Sequence, residues 1–333
     1  KPTPRLRPIN KTILLTGAGG VALPMLINIL QSKGYRVLSA DMDPLAVGLY
    51  KADKGFVIPA GTSKDFLPAI KNICKTEKVD VFIPLVDEEL EESIELEKEN
   101  VKVILPQKKF VTSCLDKYVL MQELKKNNIP VPVTCMLGEN AEHIPFPRII
   151  KPKTGRGSRG VEIIKNQEEY DAVFKKLESK RNYFLVQECI QGTEFTVSVV
   201  VWKDGNVQAV VPKEIVSKKG VTKIAVTRFN KNIENVCLDI QKKLKANGPF
   251  NVQLCLDPKT QTPFIFEINP RFSTSITLTI AAGIDELNLL IEQALSGTSP
   301  QKQLPWKEGV VLMRQSLDNF MNESDFNTKQ HAL

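Results

Sequence analysis

Glu267 and Asn269 stand two residues apart in FIFEINPRFS, polar positions in an otherwise apolar run that ends in Pro270 and Arg271. In an extended strand residues i and i+2 face the same way, so the carboxylate and the amide share one face. Phe264, Phe266 and Ile268 are expected on the other, core-facing side. The segment NVQLCLD lies just upstream, joined by the five residues 258–262. A hairpin that pairs Asp257 with Pro263 sets Gln253 opposite Glu267 and keeps all three oxygen donors on one patch. Such donors, free of Cys and His, suit magnesium, which phosphates and water usually complete. Arg271 follows at once, with a guanidinium able to grip a phosphate or carboxylate through two parallel hydrogen bonds. The competing reading is the exposed polar face of an edge hairpin.

Four other stretches carry residues fit for chemistry. KPKTGRGSRGVEII, residues 151–164, is glycine-rich and basic, but it lacks the G-x-x-x-x-G-K-[ST] pattern and leads into a strand. Its backbone amides and basic side chains suit a flap over a triphosphate; a plain basic hairpin loop is the alternative. VQECIQGTEF puts Glu188 at a strand end and Glu194 beyond Gly192, and alone it reads as a loop with two surface carboxylates. Near the start, TGAGGVA fits G-x-G-x-x-A, with Asp41 about twenty residues further on. Three readings stay open there: a dinucleotide site, a substrate site at the sheet edge that involves Gly19 and Gly20, and a structural turn. Asp87 and Glu88, after VFIPLV, read either as a helix N-cap with an acidic first turn or as partners for an amine.

The elements that must position these residues change character along the chain. Over the first hundred residues the strands KTILLTGAGG, YRVLSADMDP, FVIPAG, VDVFIPLV and VKVILP alternate with helical stretches, which predicts a doubly wound parallel sheet. After Pro106 come the helix LDKYVLMQELKKNN, strands around the glycine-rich turn, a strand pair near 194–202 and 206–216, a loop near 217–223, two further helices and the hairpin. The polar end, NESDFNTKQHAL, is expected to fray. A length of 333 residues suits two or three units. A net charge of +7, from 45 Lys and Arg against 38 Asp and Glu, is too modest to argue for nucleic acid and fits anionic ligands as well. No apolar run reaches the ~18 residues of a membrane span. Six scattered cysteines without a C-x-x-C pair read as reduced thiols in the cytoplasm, and two histidines disfavour a zinc site or a His-dependent triad. The chain opens on Lys1, which leaves a removed leader open.

In this order the motifs resemble the ATP-grasp superfamily, particularly its carbamoyl-phosphate-synthase-like branch, over about residues 11–300, with NVQL…FIFEINPRFS the most specific match. The resemblance implies α/β and α+β architecture. A Rossmann-like pre-ATP-grasp domain would span 1–108 and an ATP-grasp domain 109–300, with a glycine-rich lid at about 145–187; 301–333 form a C-terminal segment. It implies that Gln253, Glu267 and Asn269 bind two Mg²⁺ ions, with Mn²⁺ as a substitute, and that Arg271 stabilises the phosphoryl group in flight. Lys117 and Lys151 would contact the ATP phosphates, Lys151 sharing in catalysis, beneath a flap of Gly155, Gly157 and Ser158. Glu188, with the backbone of Cys189 and Ile190, would meet the adenine, Glu194 the ribose, and Lys223 the phosphate and acceptor. Gln253 stands where the superfamily often has an acid, and Thr274 where true carbamoyl phosphate synthases have a basic residue.

The activity implied is an ATP-dependent carboxylate–amine ligase working through an acyl phosphate. The alternatives are carbamoyl-phosphate-type phosphorylation of bicarbonate or carbamate, an NAD-dependent oxidoreductase, and an inactive ATP-binding subunit. The expected substrates are a small carboxylate and an amine, amino acids or peptides above all, with Gly19, Gly20, Asp87, Glu88 and Arg271 as substrate residues. Neither nucleic acid nor membrane is an expected partner, and a homodimer is the default assembly.

Overall fold

Five short strands, β1 (Thr12–Thr16), β2 (Arg36–Asp41), β3 (Lys54–Val57), β4 (Val81–Ile83) and β5 (Lys102–Val103), pair in parallel in the order β3-β2-β1-β4-β5. The computed structural model describes residues 10–157, 159–298 and 302–330. Every residue of β1 is buried, as an interior strand covered on both faces requires. Ile13 and Leu15 enter one core with the helix Leu23–Ser32, and Leu14 enters another with Leu38 and Phe82. The second core is closed by the helix Phe66–Glu77, which turns Phe66, Ile70, Ile73 and Cys74 inward at helical spacing. The sheet is therefore doubly wound, as its rhythm predicts.

A four-stranded antiparallel sheet follows, built from β6 (Thr134–Met136), β7 (Arg148–Pro152), β8 (Glu162–Ile164) and β9 (Phe184–Glu188) in the order β6-β9-β7-β8. It begins at Thr134, ahead of the boundary expected near 145. The third sheet comprises β10 (Thr193–Val201), β11 (Val207–Lys219), β12 (Val221–Thr227), β13 (Phe250–Leu256), β14 (Pro263–Asn269) and β15 (Val311–Met313), in the order β14-β13-β10-β11-β12-β15. The expected loop at 217–223 is instead a tight hairpin between β11 and β12, made possible by Gly220 at φ +70°. The polar C-terminal end carries a helix, Glu323–Gln330, and the Phe326 ring stacks on Tyr50 with centroids 5.7 Å apart.

Strand alternation gives the third sheet two unlike faces. Phe195, Val197 and Val199 pack against Ile233, Val236, Cys237 and Ile240 of the helix Lys231–Leu244. On the opposite face Val200, Ala209 and Val211 join the core of Ile13 and Leu15, so the first and third sheets share one hydrophobic core. All six cysteines are free thiols and five are buried. Among the described residues, no helix is long and apolar enough to cross a membrane.

The same face carries a buried polar cluster. Lys213, fully buried on β11, donates to Ser198 Oγ and to Thr279 Oγ1, both at 2.8 Å. Ser198 in turn donates to Glu286 at 2.9 Å. Burial pulls the Lys213 ammonium down to about 8 and pushes the Glu286 carboxyl up, each resisted by the charge of the other. The cluster pins the helices Ile276–Ala281 and Glu286–Ser296 onto β10 and β11, just beyond Arg271. Removing one buried charge strands its partner, so Lys213→Met should destabilise the protein by about 3–5 kcal/mol. Chemical denaturation should show Lys213→Met/Glu286→Leu recovering at least part of that loss; a double variant no more stable than the single one would contradict the pairing.

Candidate active site

β13 alternates cleanly: Val252, Leu254 and Leu256 are core residues, while Gln253 and Cys255 face a cleft between the second and third sheets. β14 does not. Leu256 pairs with Pro263, Cys255 with Phe264 and Leu254 with Ile265, but Gln253 pairs with Glu267, leaving Phe266 as an extra residue. The turn therefore differs by one residue from the expected Asp257–Pro263 pairing, and a β-bulge at Phe266 restores Gln253 opposite Glu267. The bulge also corrects the expected core face: Ile265 and Ile268 are buried in the core, Phe264 is only partly buried, and Phe266 lines the cleft beside Glu267. Asn269 pairs with Asn251 and is buried.

The cleft, about 410 Å³, gathers Lys117, Lys151, Gly155, Glu188, Ile190, Glu194, Gln253 and Glu267 from distant parts of the chain. Lys117 opens the helix Lys117–Lys126, whose N-cap Asp116 accepts from the amides of Tyr118 and Val119. Its buried Nζ lies 3.3 Å from Glu267 Oε1 and donates to the Gly155 carbonyl at 2.7 Å, which ties the glycine-rich turn to the carboxylate. Gly155 has φ +103°, a conformation that side chains disfavour. Lys151 projects from β7; its Nζ sits 5.5 Å from the Phe266 ring centroid and donates to the Phe266 carbonyl at 3.4 Å. Burial draws this ammonium down to about 8; Glu267 opposes the shift, and Lys117 and Lys218 add to it.

The opposite wall depends on a close approach. Gly192 passes so near the end of β13 that a Cβ there would lie 2.2 Å from the Leu256 carbonyl. The Glu188 carboxylate accepts from the Val133 amide at 3.1 Å, and Glu194 pairs with Lys218 at 2.6 Å. Cys189 does not line the cleft although Glu188 and Ile190 do, as alternation in an extended segment dictates. Gly157 is likewise absent from the lining, and Ser158 lies outside the described residues.

Sequence reasoning missed Gln187, Lys218 and Arg159, which also line the cleft. Gln187 is buried; its Nε2 donates to Thr134 Oγ1 at 2.8 Å, whereas its Oε1 has no hydrogen-bond partner among the described residues. The available signal was a glutamine inside the apolar strand FLVQE. Lys218 takes the place expected of Lys223, which lies on a second cleft of about 590 Å³ with Gly19 and Gly20.

Asp87 and Glu88 are both ion-paired. Asp87 Oδ1 lies 2.5 Å from Arg271 Nε, and Glu88 lies 3.0 Å from Arg156 Nε. Asp87 starts a 3₁₀ turn without capping it, so the N-cap reading is replaced by an ion pair between the first sheet's edge and the arginine. Arg271 Nη2 also approaches Asn269 Oδ1 at 3.4 Å. Among the described residues no three His, Cys, Asp or Glu side chains come together as a metal site. Gln253 and Glu267 line the cleft, whereas Asn269, buried at the end of β14, does not; one carboxylate and two amides are hard-oxygen donors of the kind that suit magnesium in the company of phosphate oxygens.

The family model described as the ATP-grasp domain matches residues 114–275, and that of the PylC-like N-terminal domain matches 13–105. Several solved structures share the fold. The N5-carboxyaminoimidazole synthetase of Staphylococcus aureus, complexed with ADP, is 18% identical with a TM-score of 0.73, covering 92% of this chain and 82% of its own. The biotin carboxylase domain of the Hydrogenobacter thermophilus 2-oxoglutarate carboxylase, with MgADP and bicarbonate, is 17% identical with a TM-score of 0.72, covering 88% and 71%. The L-amino acid ligase of Bacillus licheniformis is 17% identical with a TM-score of 0.68, covering 86% and 74%. With an ATP-grasp domain set behind a PylC-like N-terminal domain, the chain belongs to the ATP-grasp superfamily.

Proposed function

We propose that this protein is an ATP-dependent ligase that joins a carboxylate to an amine through an acyl phosphate. The observation that carries the reading is the convergence of Lys117, Lys151, Gln253 and Glu267 on one cleft. That cleft is lined by five cations, Lys117, Lys151, Arg156, Arg159 and Lys218, against three carboxylates, a balance suited to a polyphosphate. The unpartnered Gln187 Oε1 suits the exocyclic amine of adenine, since a buried acceptor without a donor is costly. ADP in similar structures supports the same assignment.

In the reaction so assigned, a carboxylate oxygen attacks the terminal phosphorus of ATP as the bond to ADP breaks; the amine nitrogen then attacks the acyl carbon, phosphate leaves, and the amine's proton passes to solvent. Lys151 and Lys117 neutralise the phosphates, Lys151 from a buried position that water does not screen. Arg271, which lines neither cleft but closely follows Glu267 in the chain, stabilises the transferring group, and Asp87 holds its guanidinium in place. Gln253, Glu267 and Asn269 would hold two magnesium ions, or manganese in their stead, which supply charge neutralisation when bound. The dinucleotide reading loses support because Asp41 accepts from the amides of Gly19 and Asp43, at 2.8 and 3.0 Å, and so serves the glycine turn.

The test is release of ADP and phosphate with MgATP against pooled carboxylates and amines, bicarbonate and ammonia included. Acceptor-dependent ADP release is expected, and Glu267→Ala should lower it by about 10²-fold or more; near-normal turnover in that variant would remove the metal assignment. A second expectation concerns pH. Lys151, held at about 8 in the free protein, must be protonated to meet phosphate. MgATP affinity should therefore hold steady below that pH and fall above it, approaching about tenfold per pH unit, with proton uptake on binding. Calorimetry in buffers of different ionisation enthalpy reads this directly, and flat affinity from neutral to alkaline pH would exclude a phosphate-bound Lys151.

A further inference from the structure

The second cleft has a lining of one charge sign. Lys51, Lys223 and Arg314 are its charged residues, and no aspartate or glutamate lines it. None of the three has a carboxylate partner among the described residues. Arg314 is the most committed: half-buried, it donates to two backbone carbonyls, those of Thr222 at 3.2 Å and Thr274 at 2.7 Å. Carbonyl dipoles orient a guanidinium without neutralising it, so a net cation faces the cavity. The uncharged wall mixes polar side chains, Asn28, Thr277, Gln315, Ser316 and Asn319, with large apolar ones open to water: Met25 is 52% exposed, Met313 68% and Leu317 82%. Large apolar side chains rimming a cationic cavity mark a ligand with an anionic head and an apolar body.

The cleft is joined to the first by two continuous segments. The β11–β12 hairpin places Lys218 on the first cleft and Lys223 on the second. The chain leaving Glu267 and Asn269 runs through Arg271 to Thr274, whose carbonyl holds Arg314, and to Thr277 in the second cleft. The acids expected to receive an ammonium, Asp87 and Glu88, are instead paired with arginines.

We infer that this second cleft binds the carboxylate substrate, an acid with an extended apolar body, its carboxylate held by Lys223, Arg314 and Lys51 and its body against Met25, Met313 and Leu317. The assignment rests on the ligase reading above. Every charged group an ammonium would meet there is a cation, so the amine enters from elsewhere.

Titration calorimetry with octanoate, octanamide and octylamine, on the full chain without nucleotide, tests the chemistry directly. Octanoate should bind at least about tenfold more tightly than octanamide, the margin of one charge-assisted hydrogen bond, and octylamine more weakly still. Lys51→Gln/Lys223→Gln should weaken octanoate by about tenfold or more while leaving MgADP affinity unchanged. Both side chains lie toward the surface, so this variant is expected to fold; Arg314→Gln, which also loses two carbonyl contacts, serves as a second probe with thermal melting as control. Octanamide binding as tightly as octanoate, preference for octylamine, no octanoate binding, or an unchanged double variant would each overturn the assignment. Failure of MgADP to bind while octanoate binds would overturn the ligase reading instead.

Discussion

The extra residue at Phe266 governs what β14 shows to the cleft. Side chains along a strand alternate with period two, so a one-residue slip sends each of them to the other face. From the turn, β13 and β14 start in a register that would set Gln253 against Phe266, and the bulge shifts it by one before the polar pair arrives. Glu267 thereby comes opposite Gln253 and within 3.3 Å of Lys117, while Ile265 and Ile268 stay in the core. Phe266 becomes the floor on which Lys151 rests, through its ring and its carbonyl. The donor set, the two buried lysines and the glycine-rich turn held by Lys117 all depend on that local break in the ladder.

Around this hairpin, charge is arranged in two ways. In the first cleft cations outnumber carboxylates but are largely paired: Lys117 with Glu267, Lys218 with Glu194, Arg156 with Glu88. Such pairs orient side chains and can exchange partners when a more highly charged anion arrives. Lys151 differs, being buried without a direct carboxylate contact, and that burial lowers its proton affinity. The second cleft has cations only. The Arg271–Asp87 pair links the end of β14 to the edge of the first sheet. The shared core of Ile13, Leu15, Val200 and Val211 keeps those two edges together. The buried Lys213–Ser198–Glu286 chain fixes the helices that follow Arg271.

Much of this was legible in the amino-acid sequence, for a physical reason. Periodicity and glycine placement are local properties, so the doubly wound first sheet and the hairpin carrying Gln253, Glu267 and Asn269 could be read from short stretches, whereas the grouping of Lys117, Lys151, Glu188 and Glu194 came only through the resemblance to the ATP-grasp superfamily. Parity failed where a bulge added a residue, since nothing in FIFEIN distinguishes Phe266 from Phe264. The resemblance pointed to Lys223 in a segment read as a loop, whereas the hairpin that forms sends Lys218 to the first cleft and Lys223 to the second.

By itself, then, the sequence determined the order and type of the elements and the identity of the donor groups, because these follow from spacing along the chain. Which groups meet was decided by tertiary structure alone. Asp87 and Arg271 are 184 residues apart, yet they form an ion pair because two sheets share a core. The cation-lined second cleft exists only where the glycine turn, the β11–β12 hairpin and the segment after β15 come together. Contacts across such separations depend on how whole faces pack, and no local pattern encodes them.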